Sequence, residues 1–142
     1  MDPCFPAGAT RRIDNHVLRR EGEVLHVTVQ GNLTGTDMTA FVAVYQQILD
    51  EQGFLLILMD VRDATGMDMA GRKVVTSWAG KHSTALCSAI VGANVVIEST
   101  MNIFNRAVRV LSGKAPGLMF FSEQSAARAW LLAQIPRLRN QG

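Results

Sequence analysis

Residues 54–73 read FLLILMDVRDATGMDMAGRK: six apolar side chains in a row, then Asp60, Asp63 and Asp68 within nine positions, then a charged stretch. An apolar run with no alternation is how a strand covered on both faces reads. Both faces are covered when helices cross over between parallel strands, so this stretch argues for an α/β sheet with a central buried strand. The aspartates then fall just past the carboxyl end of that strand. Ligands of open α/β sheets gather there.

On the N-terminal side, His16–Gln30 (HVLRREGEVLHVTVQ) holds two strand segments around a turn centred near Gly22. Leu25, Val27 and Val29 alternate with His26, Thr28 and Gln30, a period of two that marks a strand with one polar side. Thr36 or Asp37 is placed to cap a helix that runs to about Gln52 and stops at Gly53. Its residues Met38, Phe41, Val42, Tyr45, Ile48 and Leu49 recur at helical spacing. On the C-terminal side, Asp68 is a natural cap for a second helix carrying Val74, Val75, Trp78 and Ala79 on one face. A strand around ALCSAIVGANVV follows, then a third helix from Ser99 to Gly113, a strand over 118–121, and a fourth helix capped by Ser122.

The order is therefore β-β-α-β-α-β-α-β-α: a single-domain α/β fold with a mixed, mainly parallel sheet and an antiparallel opening hairpin. The expected domain covers residues 16–135, with 1–15 and 136–142 as flexible termini. At 142 residues, one such domain removes roughly 70% of the unfolded chain's surface from water, enough for a core without staples.

Composition narrows the function. With 48% hydrophobic and 18% charged residues the chain is globular rather than disordered. The net charge of +2, without a basic stripe interleaved with aromatics, argues against nucleic acid. Cys4 and Cys87 are too few for a disulfide framework, and no run approaches a membrane span, so a reduced, cytoplasmic protein without integral membrane association is expected.

The three aspartates are the first chemical candidates. A divalent cation would use such carboxylates with a phosphate substrate, making a metal-dependent phosphoryl enzyme one alternative. No second acidic cluster and no glycine-rich phosphate loop accompany them, and a turn at Asp60 and Asp63 with a cap at Asp68 accounts for all three. His16, His26 and His82 lack the paired spacing of zinc ligands, and no nucleophile elbow is present. No catalytic residue, metal or cofactor is assigned.

The third helix says more. Met101, Ile103, Phe104, Ala107, Val108, Val110 and Leu111 occupy about half its circumference, wider than one sheet contact needs. Either the helix is sunk deeply, or part of this face meets an apolar ligand or another subunit. A symmetric homodimer is expected on that ground.

With LILMDV, the helix start DMAG and the close FFSEQSAARAWL in view, the chain resembles the STAS domains, specifically the SpoIIAA-like group, related to the lipid-binding CRAL-TRIO fold. The close matches a phenylalanine-serine-glutamate-x-x-alanine-x-x-tryptophan-leucine pattern with one extra residue. The resemblance implies a non-enzymatic regulatory or binding module with a protein partner. Its alternative is a carrier or sensor of a small hydrophobic ligand. In anti-sigma-factor antagonists a phosphorylatable serine lies in the motif that stands here as Asp68-Met69-Ala70-Gly71, so the resemblance implies a protein without that switch. The residues expected to meet a partner or ligand are Asp60, Asp63, Thr65, Asp68, Met101, Phe104 and Val108.

Overall fold

The computed structural model describes residue 6, residues 8–114 and residues 117–139. Cys4 lies outside them. Among these residues six strands form one sheet whose spatial order follows the chain: β1 (Thr10–Ile13), β2 (His16–Glu21), β3 (Val24–Leu33), β4 (Leu55–Met67), β5 (Leu86–Val91) and β6 (Gly117–Phe121). β1–β2 and β2–β3 pair antiparallel, while β3–β4, β4–β5 and β5–β6 are parallel. The helices are α1 (Gly35–Gln52), α2 (Met69–His82), α3 (Val95–Ser112), α4 (Gln124–Ala133) and the short α5 (Ile135–Arg139).

Each parallel step advances in the same direction along the sheet, so right-handed crossovers put α1, α2 and α3 on one face. There α1 buries Met38, Phe41, Val44, Tyr45 and Ile48 against Leu25, Val27, Val29, Leu55 and Ile57. Each such side chain contributes roughly 1.5–3 kcal/mol relative to exposure. The opposite face is covered by α4 and α5, whose Ala127, Leu131, Ile135 and Leu138 meet Leu56, Leu58, Ala89 and Val91. β4 is thus buried on both sides along Leu55–Leu58, as its unbroken apolar run requires.

The elements extend past the expected limits of 16–135. Residues 10–13 pair with 16–19 across a tight turn at Asp14 and Asn15, with Asp14 in the left-handed region at φ 56°. Arg11 and Arg12 gave no strand signal, because an edge strand needs no apolar alternation. At the other end Ile135 and Leu138 anchor α5 into the second core.

Three helices begin where the sequence did not place them. Thr34, not Thr36 or Asp37, caps α1: its hydroxyl accepts from Asp37 N–H at 3.1 Å while the Asp37 carboxylate accepts from Thr34 N–H at 3.2 Å, a reciprocal capping box. Asn94, not Ser99, caps α3 by accepting from Ile97 N–H at 2.8 Å. Val95 and Val96 look like the end of β5, but Gly92 at φ 78° has already broken the strand. Glu123, not Ser122, is the cap residue of α4, without a side-chain hydrogen bond. Asp68 caps α2 as expected, accepting from Gly71 N–H at 2.7 Å.

Candidate functional site: the aspartate strand and the outer face of the third helix

The expected turn at Asp60 and Asp63 is absent, since β4 runs straight through to Met67. Two register shifts against β3 give β4 two additional residues: Thr28 and Gln30 pair with Asp60 and Asp63, and Gly31 and Asn32 with Ala64 and Gly66. The second shift leaves Thr65 as the bulged residue. Val61, Ala64 and Met67 point into the helix-side core and hold the extension in place.

The aspartates do not converge. Asp60 and Asp63 pair with Thr28 and Gln30, on the face opposite the three-helix layer, whereas Asp68 sits at the start of α2. Burial works to raise the Asp60 pKa, but Arg62 outweighs it. That residue donates from its backbone N–H (3.1 Å) and guanidinium (2.9 and 3.2 Å), and Gln124 Nε2 adds a bond at 3.2 Å, holding the carboxyl below the usual range. Asp60 therefore ties the middle of β4 to the start of α4. Asp63 and Thr65 are exposed.

The one group of three potential metal ligands among the described residues was not anticipated: Asp14, His16 and Asp37. His16 is fully buried, its Nδ1 accepts from Gln30 N–H at 3.0 Å, and its Nε2 lies 3.2 Å from Asp37 Oδ2. Because Nδ1 is the acceptor, Nε2 carries the hydrogen and donates to Asp37. No lone pair on the ring faces the two carboxylates, so this arrangement does not suit a cation. It joins β2, β3 and the cap of α1 instead. A spacing of 21 residues hides such a pair from sequence reading.

Cys87 is buried, which pushes its thiol pKa up against the opposing charge of Arg137, whose Nη2 lies 3.2 Å from Sγ. That is an inert environment. Trp78 lies between Tyr45 and His82 and donates to Gln46 at 2.8 Å, and Trp130 packs on Phe121, so both are packing residues.

α3 settles the alternative left open by its wide apolar face: it is not sunk. Val108 is fully buried, and Met101 and Phe104 are half-buried against the core, so these three expected contact residues point inward. Val95, Val96, Ile103, Val110 and Leu111 lie outward, each between 62% and 82% exposed. Val96, Ile103 and Val110 recur every seven residues, a signal present in the sequence but divided by the misplaced helix start. Beside them an open groove of about 510 Å³ runs between α2 and α3, lined by Arg72, Lys73, Thr76, Ser77, Gly80, Lys81 and Leu111. A second open groove, about 410 Å³, lies on the polar sheet face around Arg12, Asn15, Thr28 and Gln30.

A mixed sheet with three helices on one face, two shorter ones on the other, and an aspartate-capped second helix is the arrangement of a STAS-type α/β domain. The SpoIIAA-like family model matches residues 24–132, and the chain belongs to that family. Among solved structures, an uncharacterised protein of Shewanella loihica PV-4 with a SpoIIAA-like fold is 19% identical, covering 86% of this chain and 89% of that one at a TM-score of 0.59. The anti-sigma factor antagonist SpoIIAA in its unphosphorylated form is 13% identical over 80% of this chain and 94% of its own, with a TM-score of 0.57. A putative anti-sigma factor antagonist of Thermotoga maritima is 16% identical over 81% and 92%, with a TM-score of 0.56. These likenesses establish the fold. None of the curated proteins compared matches the chain. Among the described residues no helix is long and apolar enough to cross a membrane.

Proposed function

We propose that this chain is a non-enzymatic binding module that docks a protein partner on the outer face of α2 and α3. The observation that carries this reading is the row of outward apolar side chains on α3, which no element among the described residues covers. An exposed apolar row bordered by charge is the mark of an interaction surface. The separated aspartates and the inert Cys87 supply no catalytic grouping in its place.

The first turn of α2 supports a module without the serine switch. Met69 and Ala70, where the resemblance puts the phosphorylated hydroxyl, are exposed and carry no acceptor oxygen, while Asp68 and the buried Gly71 keep the cap. Thr65 belongs to β4 and Ser77 lies two turns along α2. The carrier alternative has less support. Met38 and Met101 pack in the core under the three-helix layer, whereas Met119 lies on the α4 side of β6, so the three do not line one chamber. The larger groove is open rather than enclosed, and three cations, Arg72, Lys73 and Lys81, stand along it.

Native mass spectrometry of wild type and Ile103→Glu, each recovered from cells with its partners, tests the proposal. A protein adduct on wild type that the variant loses is the expected result. A small-molecule adduct that leaves on denaturation favours the carrier, and phosphoester hydrolysis lost on Asp60→Asn, Asp63→Asn and Asp68→Asn overturns the non-enzymatic reading.

A further inference from the structure

Resting on that docking surface, we infer that its occupant is an acidic amphipathic helix of a partner protein, laid along α3 with its charged flank over α2. On α3, Val96, Thr100, Ile103, Ala107 and Val110 follow 4-3-4-3 spacing, which places them in one straight row about 21 Å long. Thr100 Oγ1 donates to Val96 O at 3.0 Å, so its hydroxyl is turned back on the helix and its methyl group is left to the row. Thr100 and Ala107 are small and alternate with larger neighbours, a pattern of knobs and hollows that a second helix fills.

The α2 side has a different character. Thr76, Ser77 and Gly80 are small residues along the groove, and Gly80 allows close passage of Leu111, whose Cβ would stand 3.5 Å from a Cβ at position 80. Lys73 and Lys81 form no ion pair among the described residues, and neither do Arg106 and Arg109 on α3. Glu98 is the only acidic residue within α3. An apolar row beside unpaired cations recognises a helix with apolar residues at i, i+3 or i+4 and i+7 and carboxylates along one flank.

Two other occupants fit less well. A second copy laid on this face would bring its own Arg106, Arg109, Lys73 and Lys81 against the same cations, and like charges facing each other cost binding. A bilayer surface would take the apolar row, but the row and the cations stand on two neighbouring helices with an open groove between them, and a rod laid along that groove touches both. The charge and the two-helix layout together select the helix.

The test is fluorescence anisotropy with a synthetic helical peptide of about 20 residues carrying leucines in a heptad seam and glutamates on its flanks, beside its lysine-flanked counterpart. The glutamate peptide is expected to bind wild type, more tightly at low salt than at high. Affinity should fall about tenfold or more in Ile103→Glu and in Lys73→Glu/Lys81→Glu, and the double variant should gain the lysine peptide. Melting curves of both variants, expected to overlay wild type because the positions are exposed, separate lost contact from lost fold. Equal binding of both peptides, binding indifferent to the substitutions, or no binding of the glutamate peptide overturns the inference. If in that last case Ile103→Glu abolishes self-association or adsorption to anionic vesicles shown by wild type, α3 remains a docking surface and only its occupant was misassigned. If Ile103→Glu changes no association of any kind, the docking surface itself falls.

Discussion

The buried pair His16–Asp37 shows how one carboxylate serves several elements. Asp37 accepts from the ring of His16 and from the backbone N–H of Thr34, so it joins β2 to the first turn of α1. Asp37→Ala should cost about 2–4 kcal/mol, combining a lost cap interaction with a buried ring N–H left unpaired. Urea unfolding measures it, and a loss well below 1 kcal/mol would contradict the assignment. Asp60 invites a different experiment. Its carboxyl is held below its unfolded value, so the stability it contributes is present at neutral pH and drains away as pH falls below about 4. Asp60→Asn should therefore lie about 1 kcal/mol below wild type at pH 7, with the gap closing in acid. A gap that persists unchanged at pH 3 would refute this. Tyr45 is buried with a hydroxyl that meets no hydrogen-bond partner among the described residues, and burial pushes its phenol far above the ordinary value. Tyr45→Phe is expected to leave stability unchanged or raise it by up to about 1 kcal/mol, read from the same urea curves.

At the scale of elements, α1 and α2 meet at their N-termini through a glycine contact. A Cβ at Gly35 would stand 2.7 Å from the Cβ of Ala70, so Gly35→Ala must part the two helix starts and should destabilise by about 1–3 kcal/mol despite the better helix propensity of alanine. Thermal unfolding decides it, since propensity alone predicts the opposite sign. The elements themselves were largely legible. Period-two alternation in β3, the apolar run of β4 and the spacing of α1 each follow from burial, and burial is what a sequence records best. What escaped were features that depend on a distant partner or on no burial at all. β1 is a polar edge, the bulges of β4 are set by its register with β3, and the pairing of His16 with Asp37 bridges 21 positions. On α3 the apolar width was visible, but its inward and outward halves were not. Spacing gives the angle around a helix, not the direction in which its neighbours lie.

At the scale of the whole molecule the sheet is covered unequally. Three helices shield one face, while the other relies on α4 and the short α5. Leu131 is fully buried at the centre of that thinner cover, and Leu131→Ala should cost about 2–5 kcal/mol, while Ile103→Glu on the open side of α3 should leave unfolding nearly unaltered. Comparable losses in the two variants would mean that α3 is packed more tightly than its exposure indicates.

The strictly sequential strand order also has a kinetic meaning. On the ribosome each new strand can pair with the one just made, so the sheet grows by extension from β1 to β6 without waiting for a distant segment. The three-helix face is closed as it grows, because each covering helix emerges before the next strand. The other face keeps Leu56, Leu58, Ala89 and Val91 uncovered until α4 arrives after every strand. The nascent chain thus carries a sticky sheet surface through most of its emergence, and a pause once residues up to about 123 have left the ribosome would leave a complete sheet with that surface open to aggregation or to a chaperone.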